Sequence, residues 1–206
     1  MDDPAEAYRS LFDEAPGLFS DRAPGGYRIL EPDGRSSIVA YEDAFVVLLR
    51  DRVIAPSGAT GNYIRLLTKP VSGRGVVILP LLGDKVVILR QYRHATGQLH
   101  VELPRGFGEG GEDSCSSAFR ELAEETELVP DELIPLGSMH PDSGILASTV
   151  DLFLARCPSG QVVVAEHGVG FELISPAELQ DRISSGEITD SFTHSAFLRA
   201  RLKGLV

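Results

Sequence analysis

Residues 106–128 read GFGEGGEDSCSSAFRELAEETEL, and the rest of the chain is best interpreted from this stretch. A glycine-rich run at 106–112 leads directly into a segment with helical periodicity. Glycine lets a backbone approach a neighbouring group closely and adopt positive φ angles. Asp113 is the expected N-cap of a helix from Ser114 to about Glu127, because its side chain can accept hydrogen bonds from the first turn. The sequence therefore predicts a tight loop followed at once by a helix.

The predicted helix carries its acidic residues on one side. At about 100° per residue, Glu121, Glu124 and Glu125 share an arc, and apolar residues occupy another. Like charges at this spacing repel one another by roughly a few tenths of a kcal/mol per pair, and a hard divalent cation such as Mg²⁺ relieves that repulsion. Arg120 lies four residues before Glu124 and is placed to orient it without binding the metal. A solvated acidic helix face is the alternative, but the glycine-rich loop and Glu112 favour a metal site.

This pattern resembles a known family signature, the Nudix box of the Nudix hydrolases. The matching positions are Gly106-x5-Glu112-x7-Arg120-Glu121-Leu122-x-Glu124-Glu125-x-Glu127-Leu128. All charged positions of the signature are present at the family spacing. The family glycine near the end of the helix is replaced by Glu127, where a positive φ costs a non-glycine residue on the order of 1 kcal/mol. We expect this departure to affect the local turn rather than the metal ligands.

The resemblance implies both a fold and a set of site residues. The expected fold is α+β, a Nudix-type α/β/α sandwich with a mixed sheet, joined to an N-terminal antiparallel β region. Glu121 and Glu125 would be the main ligands of Mg²⁺, or of Mn²⁺ in its place, together with the backbone carbonyl of Arg105. Glu112 and Glu124 would support or complete the metal cluster. Glu121, Glu124 and Glu125 are therefore the catalytic candidates within the box.

The pattern of apolar runs and turn residues predicts the remaining elements. The expected strands are Tyr27–Leu30, Ser37–Ala40, Phe45–Ile54, Asn62–Thr68, Gly75–Leu82, Lys85–Tyr92, Val150–Ala155 and Phe171–Ile174. The expected further helices are Pro176–Ser184 and Thr193–Leu202. Pro32-Asp33-Gly34 is the expected hairpin turn between the first two strands. We expect an N-terminal β-rich region at residues 1–70 and a Nudix hydrolase domain at residues 71–206.

Motifs outside the box resemble the branch of the family that contains ADP-ribose and nucleotide-sugar pyrophosphatases. These motifs are Gln91-Tyr92-Arg93, Glu102-Leu103-Pro104 and the N-terminal β region. In that branch the N-terminal sheet helps to build a homodimer, and the substrate site lies between subunits. The resemblance implies Mg²⁺-dependent hydrolysis of the diphosphate of ADP-ribose or a related nucleoside diphosphate sugar. The products would be a nucleoside monophosphate and a sugar phosphate.

Several residues outside the helix are substrate candidates by the same resemblance. Arg93 would be a substrate-side cation and Glu102 a polar contact near the mouth of the site, while the backbone at Arg105 and Gly106 would approach the substrate. A surface arginine and an ion-paired glutamate are the alternatives for the first two. Glu166 would be a general base or a further metal ligand from a late loop, with Glu172 in reserve.

The overall charge excludes some classes of partner. With 19 Lys+Arg against 30 Asp+Glu, the formal net charge is −11, whereas nucleic acids and anionic membranes attract basic patches. Cys115 and Cys157 stand far apart, which excludes a disulfide scaffold and favours a reducing compartment. The first residues lack the basic and apolar blocks of a signal peptide. We expect a cytoplasmic protein that binds a small molecule, and that needs a cation if it acts on phosphates.

Two alternatives to this function stay open. A Nudix fold can serve as a nucleotide-binding regulator without turnover, although such a protein usually lacks charged positions of the box that this chain keeps. Another Nudix substrate, such as a dinucleoside polyphosphate, coenzyme A or a capped RNA, is the second alternative. The acidic balance disfavours long RNA.

Overall fold

The computed structural model describes residues 4–19, 25–30, 39–69, 73–109 and 111–206. Across these residues the chain divides into two compact units. The first comprises Met1–Gly73 together with Asp142–Ser148, and the second comprises Arg74–Pro141 together with Thr149–Val206. The domain boundary expected between residues 70 and 71 lies outside the described residues, and the division made there stays a prediction.

The first unit is built around one long strand. Its described elements are α1 (Pro4–Glu14), a short 3-10 helix (Pro16–Phe19), β1 (Arg28–Ile29), β2 (Val39–Glu42), β3 (Val46–Ile54) and β4 (Thr60–Thr68). β3 pairs with β4 in antiparallel register along its whole length, from Val46↔Thr68 to Ile54↔Thr60. The sequence analysis did not predict the helix α1. Among the described residues its apolar contacts come from two side chains, Tyr8 and Leu11, which give a weak helical pattern in a turn-rich part of the sequence.

The predicted hairpin between Tyr27–Leu30 and Ser37–Ala40 is wrong. β1 pairs antiparallel with β3 through Arg28↔Ile54, and β2 pairs antiparallel with β3 as well. The two strands therefore run in the same direction along one edge of β3. Two very short strands gain little from pairing only with each other, whereas the nine-residue β3 offers both of them an ordered partner. The predicted turn itself, at residues 32–34, lies outside the described residues.

The second unit contains a mixed sheet. Its described strands are β5 (Gly75–Leu82), β6 (Lys85–Arg93), β7 (Gln98–Glu102), β8 (Arg105–Phe107), β9 (Glu132–Met139), β10 (Val150–Cys157) and β11 (Gly170–Ile174). β5 and β10 run parallel, and the order across the sheet is β11-β6-β5-β10-β9, with β7 paired to β6 and β8 to β5. The sequence did not predict β7, β8 or β9. The first two are short, and β9 is interrupted by Pro135 and Gly137.

Helices cover both faces of this sheet. They are α2 (Ser114–Thr126), α3 (Pro176–Ser184) and α4 (Ser191–Leu202). Every residue of β5 is buried. Alternate side chains of a strand point to opposite faces, and helices cover both faces of this strand. Val76 packs in the cluster that contains Leu122 of α2, whereas Val77 packs in the cluster that contains Leu179 of α3 and Phe197 of α4. The predicted α+β fold, an α/β/α sandwich with a mixed sheet, is confirmed.

The helix boundaries follow local capping groups. Asp113 caps α2 as predicted, since its side chain accepts hydrogen bonds from the N–H groups of Cys115 and Ser116. α4 begins two residues earlier than predicted, because Asp190 is its N-cap and accepts the N–H of Thr193 at 2.8 Å. None of the helices in the described ranges has the length and apolar character needed to cross a membrane.

The end of α2 supplies a test of local backbone strain. Glu127 has φ 55 and ψ 14, a left-handed conformation, and its N–H donates to the carbonyl of Ala123 at 2.9 Å. Because glycine adopts this conformation without the steric cost of a Cβ, we expect Glu127→Gly to raise the free energy of unfolding by about 1 kcal/mol. Urea denaturation measures the change.

The matched control for this variant is Ser185→Gly. Ser185 ends α3 with φ −76, a right-handed conformation that any residue adopts. Glycine should bring no gain there, because it only adds freedom to the unfolded chain. Equal effects of the two substitutions would contradict the strain at Glu127.

Candidate metal and substrate site

The glycine-rich loop approaches α2 closely at Gly106. This residue lies in β8 and pairs with Val76 of β5. A Cβ placed on Gly106 would stand 1.9 Å from both Cδ and Oε2 of Glu121. No side chain fits between the loop backbone and the carboxylate, so glycine is required for this approach. The backbone of β8 is thereby held against the acidic side of α2.

Three of the predicted carboxylates accept hydrogen bonds from Arg120. Its guanidinium donates to Glu121 at 2.9 Å, to Glu124 at 3.0 Å and to Glu112 at 3.1 Å. It also donates to the backbone carbonyl of Phe107 at 3.0 Å, which ties the loop to the helix. In the described part of the chain no group of three or more His, Cys, Asp or Glu side chains is arranged to hold a metal ion. Arg120 thus provides the positive charge that the crowded carboxylates need.

Glu125 is held differently from the other three. The backbone N–H of Arg105 donates to its Oε2 at 2.9 Å. Burial raises the pKa of Glu125 to about 7, and burial also raises the pKa of Glu121. In contrast, hydrogen bonds from Arg120 and Ser117 lower the pKa of the half-buried Glu112. The two carboxylates predicted as main metal ligands are therefore those whose pKa burial raises.

These residues fit a hard divalent cation. The donor set is made of carboxylate oxygens together with the β8 backbone, which is the ligand chemistry that Mg²⁺ and Mn²⁺ prefer. Gly106 lets the carboxylate of Glu121 lie directly against the β8 backbone, since a Cβ there would collide with it. The assignment of individual ligands to Glu112, Glu121, Glu124, Glu125 and the carbonyl of Arg105 stays a prediction.

The substrate candidates Arg93, Glu102 and Arg105 form a single cluster. Glu102 is only 1% exposed and accepts hydrogen bonds from Arg93 on one oxygen and from Arg105, at 3.0 Å, on the other. Arg105 also donates to Asp190 at 3.3 Å. The buried Glu102 therefore lies behind the two guanidinium groups, and it fixes where they point. The predicted substrate contacts of these residues are not tested by this geometry.

A cavity of about 340 Å³ adjoins the cluster. Its lining is largely apolar and aromatic, with two guanidinium groups: Gly75, Val76, Val77, Arg93, Arg105, Gly106, Phe107, Val150 and Phe192. Within the described residues, the buried Nε of Arg93 and Oε1 of Gln91 have no hydrogen-bond partner. A buried N–H donor without a partner costs free energy unless a ligand or water accepts from it. The cavity therefore offers apolar surface together with positive charge.

Glu166 makes no described hydrogen bond or ion pair with the helix carboxylates. It is exposed in the loop between β10 and β11. The reserve candidate Glu172 lies in β11 and pairs with Arg182 at 2.8 Å and with Arg90 at 3.6 Å. Glu172 thus belongs to a separate ion-pair network. The role predicted for Glu166 stays a prediction.

Sequence reasoning missed the contribution of α4. Asp190 and Phe192 both contact the side chain of Arg105, the latter with its ring centroid 4.7 Å from the guanidinium carbon. Residues 190–193 read DSFT, a helix-start pattern in which the aspartate caps the threonine N–H. That signal identifies the helix start, but it does not reveal the contact with Arg105, which lies 85 residues away in the sequence.

Comparisons with known proteins define the class. A sequence profile described as the NUDIX domain matches residues 71–192, and the chain belongs to the Nudix family. A solved structure of an ADP compounds hydrolase superposes with a TM-score of 0.72 over 90% of this chain and 100% of that chain. At 17% sequence identity this similarity shows the fold alone. The resemblance to the Nudix family and the Nudix-type fold are thus confirmed.

Named relatives include two pyrophosphatases and a regulatory protein. The ADP-sugar pyrophosphatase of Mus musculus is 32% identical over 93 residues, or 41% of this chain and 43% of that protein. The ADP-ribose pyrophosphatase of Bacillus subtilis is 32% identical over 72 residues, or 35% and 39%. A methanol dehydrogenase activator of Bacillus methanolicus is 32% identical over 116 residues, or 56% and 61%. The chain spans less than two thirds of the length of each.

The raised pKa of Glu125 predicts that the metal-free protein loses folding stability as the pH rises. Below the ordinary carboxyl pKa of 4.5 the residue is protonated in both the folded and unfolded states. Between 4.5 and about 7 the unfolded state ionises first, so folding stability is lost as pH rises. Glu125→Gln removes this loss and should add about 1–3 kcal/mol at pH 8, but almost nothing at pH 4.5.

Thermal unfolding in the presence of EDTA measures this effect. The melting temperature of Glu125→Gln should exceed that of the wild type by a margin that grows from pH 4.5 to 7 and is constant above. Glu132→Gln is the control, because Glu132 is an exposed glutamate paired only loosely with Arg156 at 3.5 Å. If the difference in melting temperature between Glu125→Gln and the wild type does not change with pH, the raised pKa of Glu125 is contradicted.

Proposed function

We propose that this chain hydrolyses the diphosphate bond of ADP-ribose or a related nucleoside diphosphate sugar. The products are a nucleoside monophosphate and a sugar phosphate, and the reaction requires Mg²⁺ or Mn²⁺. One observation carries the proposal: the short strand β8 borders both parts of the site. Arg105 and Gly106 line the cavity, while Arg105 donates to Glu125 and Gly106 lies against Glu121.

The cavity suits the substrate class in size and in chemistry. Its volume of about 340 Å³ lies within the usual range of small-molecule pockets. The guanidinium groups of Arg93 and Arg105 are well placed to donate to phosphate oxygens, since guanidinium matches phosphate geometry. The valines and the two phenylalanines offer apolar surface to a sugar or base. A diphosphate bound there would lie next to the carboxylates of α2.

The chain's own residues would share the work of hydrolysis. A bound Mg²⁺ would offset the charge of the diphosphate and lower the pKa of water. Glu121, Glu125 and the Arg105 carbonyl would hold the cation, supported by Glu112 and Glu124, and Arg120 would orient the carboxylates. Arg93 would donate to a phosphate oxygen. Glu166 or a carboxylate of the box would take the proton from the attacking water.

The relatives support this substrate class over its alternatives. Two of them are named as pyrophosphatases of ADP-ribose and of ADP-sugars. The methanol dehydrogenase activator supports a second candidate, in which a related nucleotide derivative is the substrate or the chain acts as a nucleotide-binding regulator. Dinucleoside polyphosphates and coenzyme A are the substrates to compare. All charged box positions are kept, which favours turnover.

The resemblance also supports an assembly and a location. We propose a homodimer that is built through the N-terminal unit. We propose a cytoplasmic protein that takes small molecules rather than nucleic acids or membranes, consistent with the formal net charge of −11.

A substrate panel with product identification tests the proposed function. The wild-type chain is incubated with Mg²⁺ and ADP-ribose, other nucleoside diphosphate sugars, a dinucleoside polyphosphate or coenzyme A, and the products are identified by mass spectrometry. We expect ADP-ribose to give AMP and ribose 5-phosphate. Glu125→Gln should lower kcat by about 100-fold or more, because an anionic metal ligand is lost.

The control for the activity assay is again Glu132→Gln, which should keep the wild-type rate. Binding of ADP-ribose without any cleavage would support the regulator instead. If no member of the panel is cleaved, the proposed hydrolysis is wrong. If Glu125→Gln works at the normal rate, the role proposed for the α2 carboxylates in holding the metal is wrong.

A further inference from the structure

We propose that the first turn of α4 positions Arg105, and that Asp190, Phe192 and Thr193 thereby set the metal affinity of the site. None of the three is a predicted metal ligand. They are positioning residues, because they act on the carboxylates of α2 through the Arg105 segment. The inference rests on the proposed function in one respect, namely that a divalent cation binds at Glu121 and Glu125.

Asp190 uses its two carboxylate oxygens for different purposes. Oδ2 accepts hydrogen bonds from the N–H and the hydroxyl of Thr193, at 2.8 Å and 2.7 Å, and this caps α4. Oδ1 accepts from Nη1 of Arg105 at 3.3 Å. The carboxylate is almost completely buried, at 9% exposure of the residue. The helix cap and the position of the Arg105 guanidinium therefore depend on the same side chain.

Thr193 makes a second connection between α4 and the same segment. Its Oγ1 accepts the N–H of Leu103 at 3.1 Å, and both residues are essentially inaccessible to solvent. The threonine hydroxyl thus links the backbone two residues before Arg105 to the carboxylate of Asp190. A buried N–H that lost this partner would be costly, so the segment is held in register with the start of α4.

Phe192 packs against Arg105 from another side. The guanidinium carbon lies 4.7 Å from the centre of the phenylalanine ring, a cation–π distance. The buried Glu102 accepts from the same guanidinium at 3.0 Å. Arg105 is therefore held by two carboxylates and one aromatic ring, and its side chain has little freedom to move.

The backbone of Arg105 carries these restraints to the carboxylates. Its N–H donates to Oε2 of Glu125 at 2.9 Å, and the next residue, Gly106, lies against Glu121. A side chain that is fixed at its tip limits how far its own backbone can shift. Partners that orient metal ligands from behind typically change metal affinity by about 10–100-fold when they are removed. The first turn of α4 is in that position.

Mn²⁺ titration of the full chain, followed by the EPR signal of free Mn²⁺, tests this proposal. Asp190→Asn keeps the helix cap, because asparagine caps about as well as aspartate, but it removes the charge that faces Arg105. We expect its Kd for Mn²⁺ to rise about tenfold. Phe192→Leu, which leaves the cap intact, should raise the Kd in the same direction and also raise KM, because Phe192 lines the cavity.

Two reference variants make the outcomes decisive. Ser175→Ala removes the N-cap of α3, because the Oγ of Ser175 accepts the N–H of Glu178 at 3.1 Å. This substitution should lower the melting temperature without changing the Kd for Mn²⁺. Glu125→Gln should weaken Mn²⁺ binding directly.

Wild-type Mn²⁺ affinity in both Asp190→Asn and Phe192→Leu would overturn the proposal. If Asp190→Asn does not fold, Phe192→Leu alone decides between the same two results. If Glu125→Gln loses Mn²⁺ and the α4 variants keep it, only the positioning role is wrong. If Glu125→Gln binds Mn²⁺ like the wild type, the metal site of the proposed function is wrong as well.

Discussion

The close packing of like charges on α2 is the constraint on which the site depends. Four glutamates lie on one loop and one helix, and each must find a positive partner or remain partly protonated. Arg120 meets this need for Glu112, Glu121 and Glu124, whereas Glu125 accepts a hydrogen bond from the backbone N–H of Arg105 and has a pKa raised by burial. A divalent cation would complete the compensation, and Arg120 would then share the carboxylates with it.

The strand β8 connects this charged cluster to the rest of the domain. Gly106 brings the backbone against the helix, and Arg105 reaches the opposite way, toward the cavity and α4. This strand lies beside α2 because it pairs with β5, and α2 packs on one face of β5. The α/β/α arrangement therefore does more than bury apolar residues. It holds two elements far apart in the sequence, β8 and α4, at the same point.

Local signals in the sequence were sufficient for the helix that carries the chemistry. The Asp113 cap and the register of the glutamates depend on neighbours within one or two turns, and Glu127 adopts the positive φ that a glycine position implies. Long-range pairing was not predictable in this way. The strands β1 and β2 pair with β3 and not with each other. The contact of Asp190 with Arg105 joins residues whose spacing has no periodic signature. Short segments such as β8 likewise form only because a partner strand is present.

A crystal structure with Mn²⁺ and a non-hydrolysable ADP-ribose analogue tests the central claim, that α2 and the β8 backbone hold the cation beside the cavity. Anomalous diffraction locates the manganese without reference to the protein. If the claim is right, a manganese peak lies within coordination distance of carboxylate oxygens of Glu121 and Glu125 and of the carbonyl of Arg105, with the diphosphate in contact with it. A manganese peak away from α2, with Arg120 still holding Glu112, Glu121 and Glu124, would contradict it.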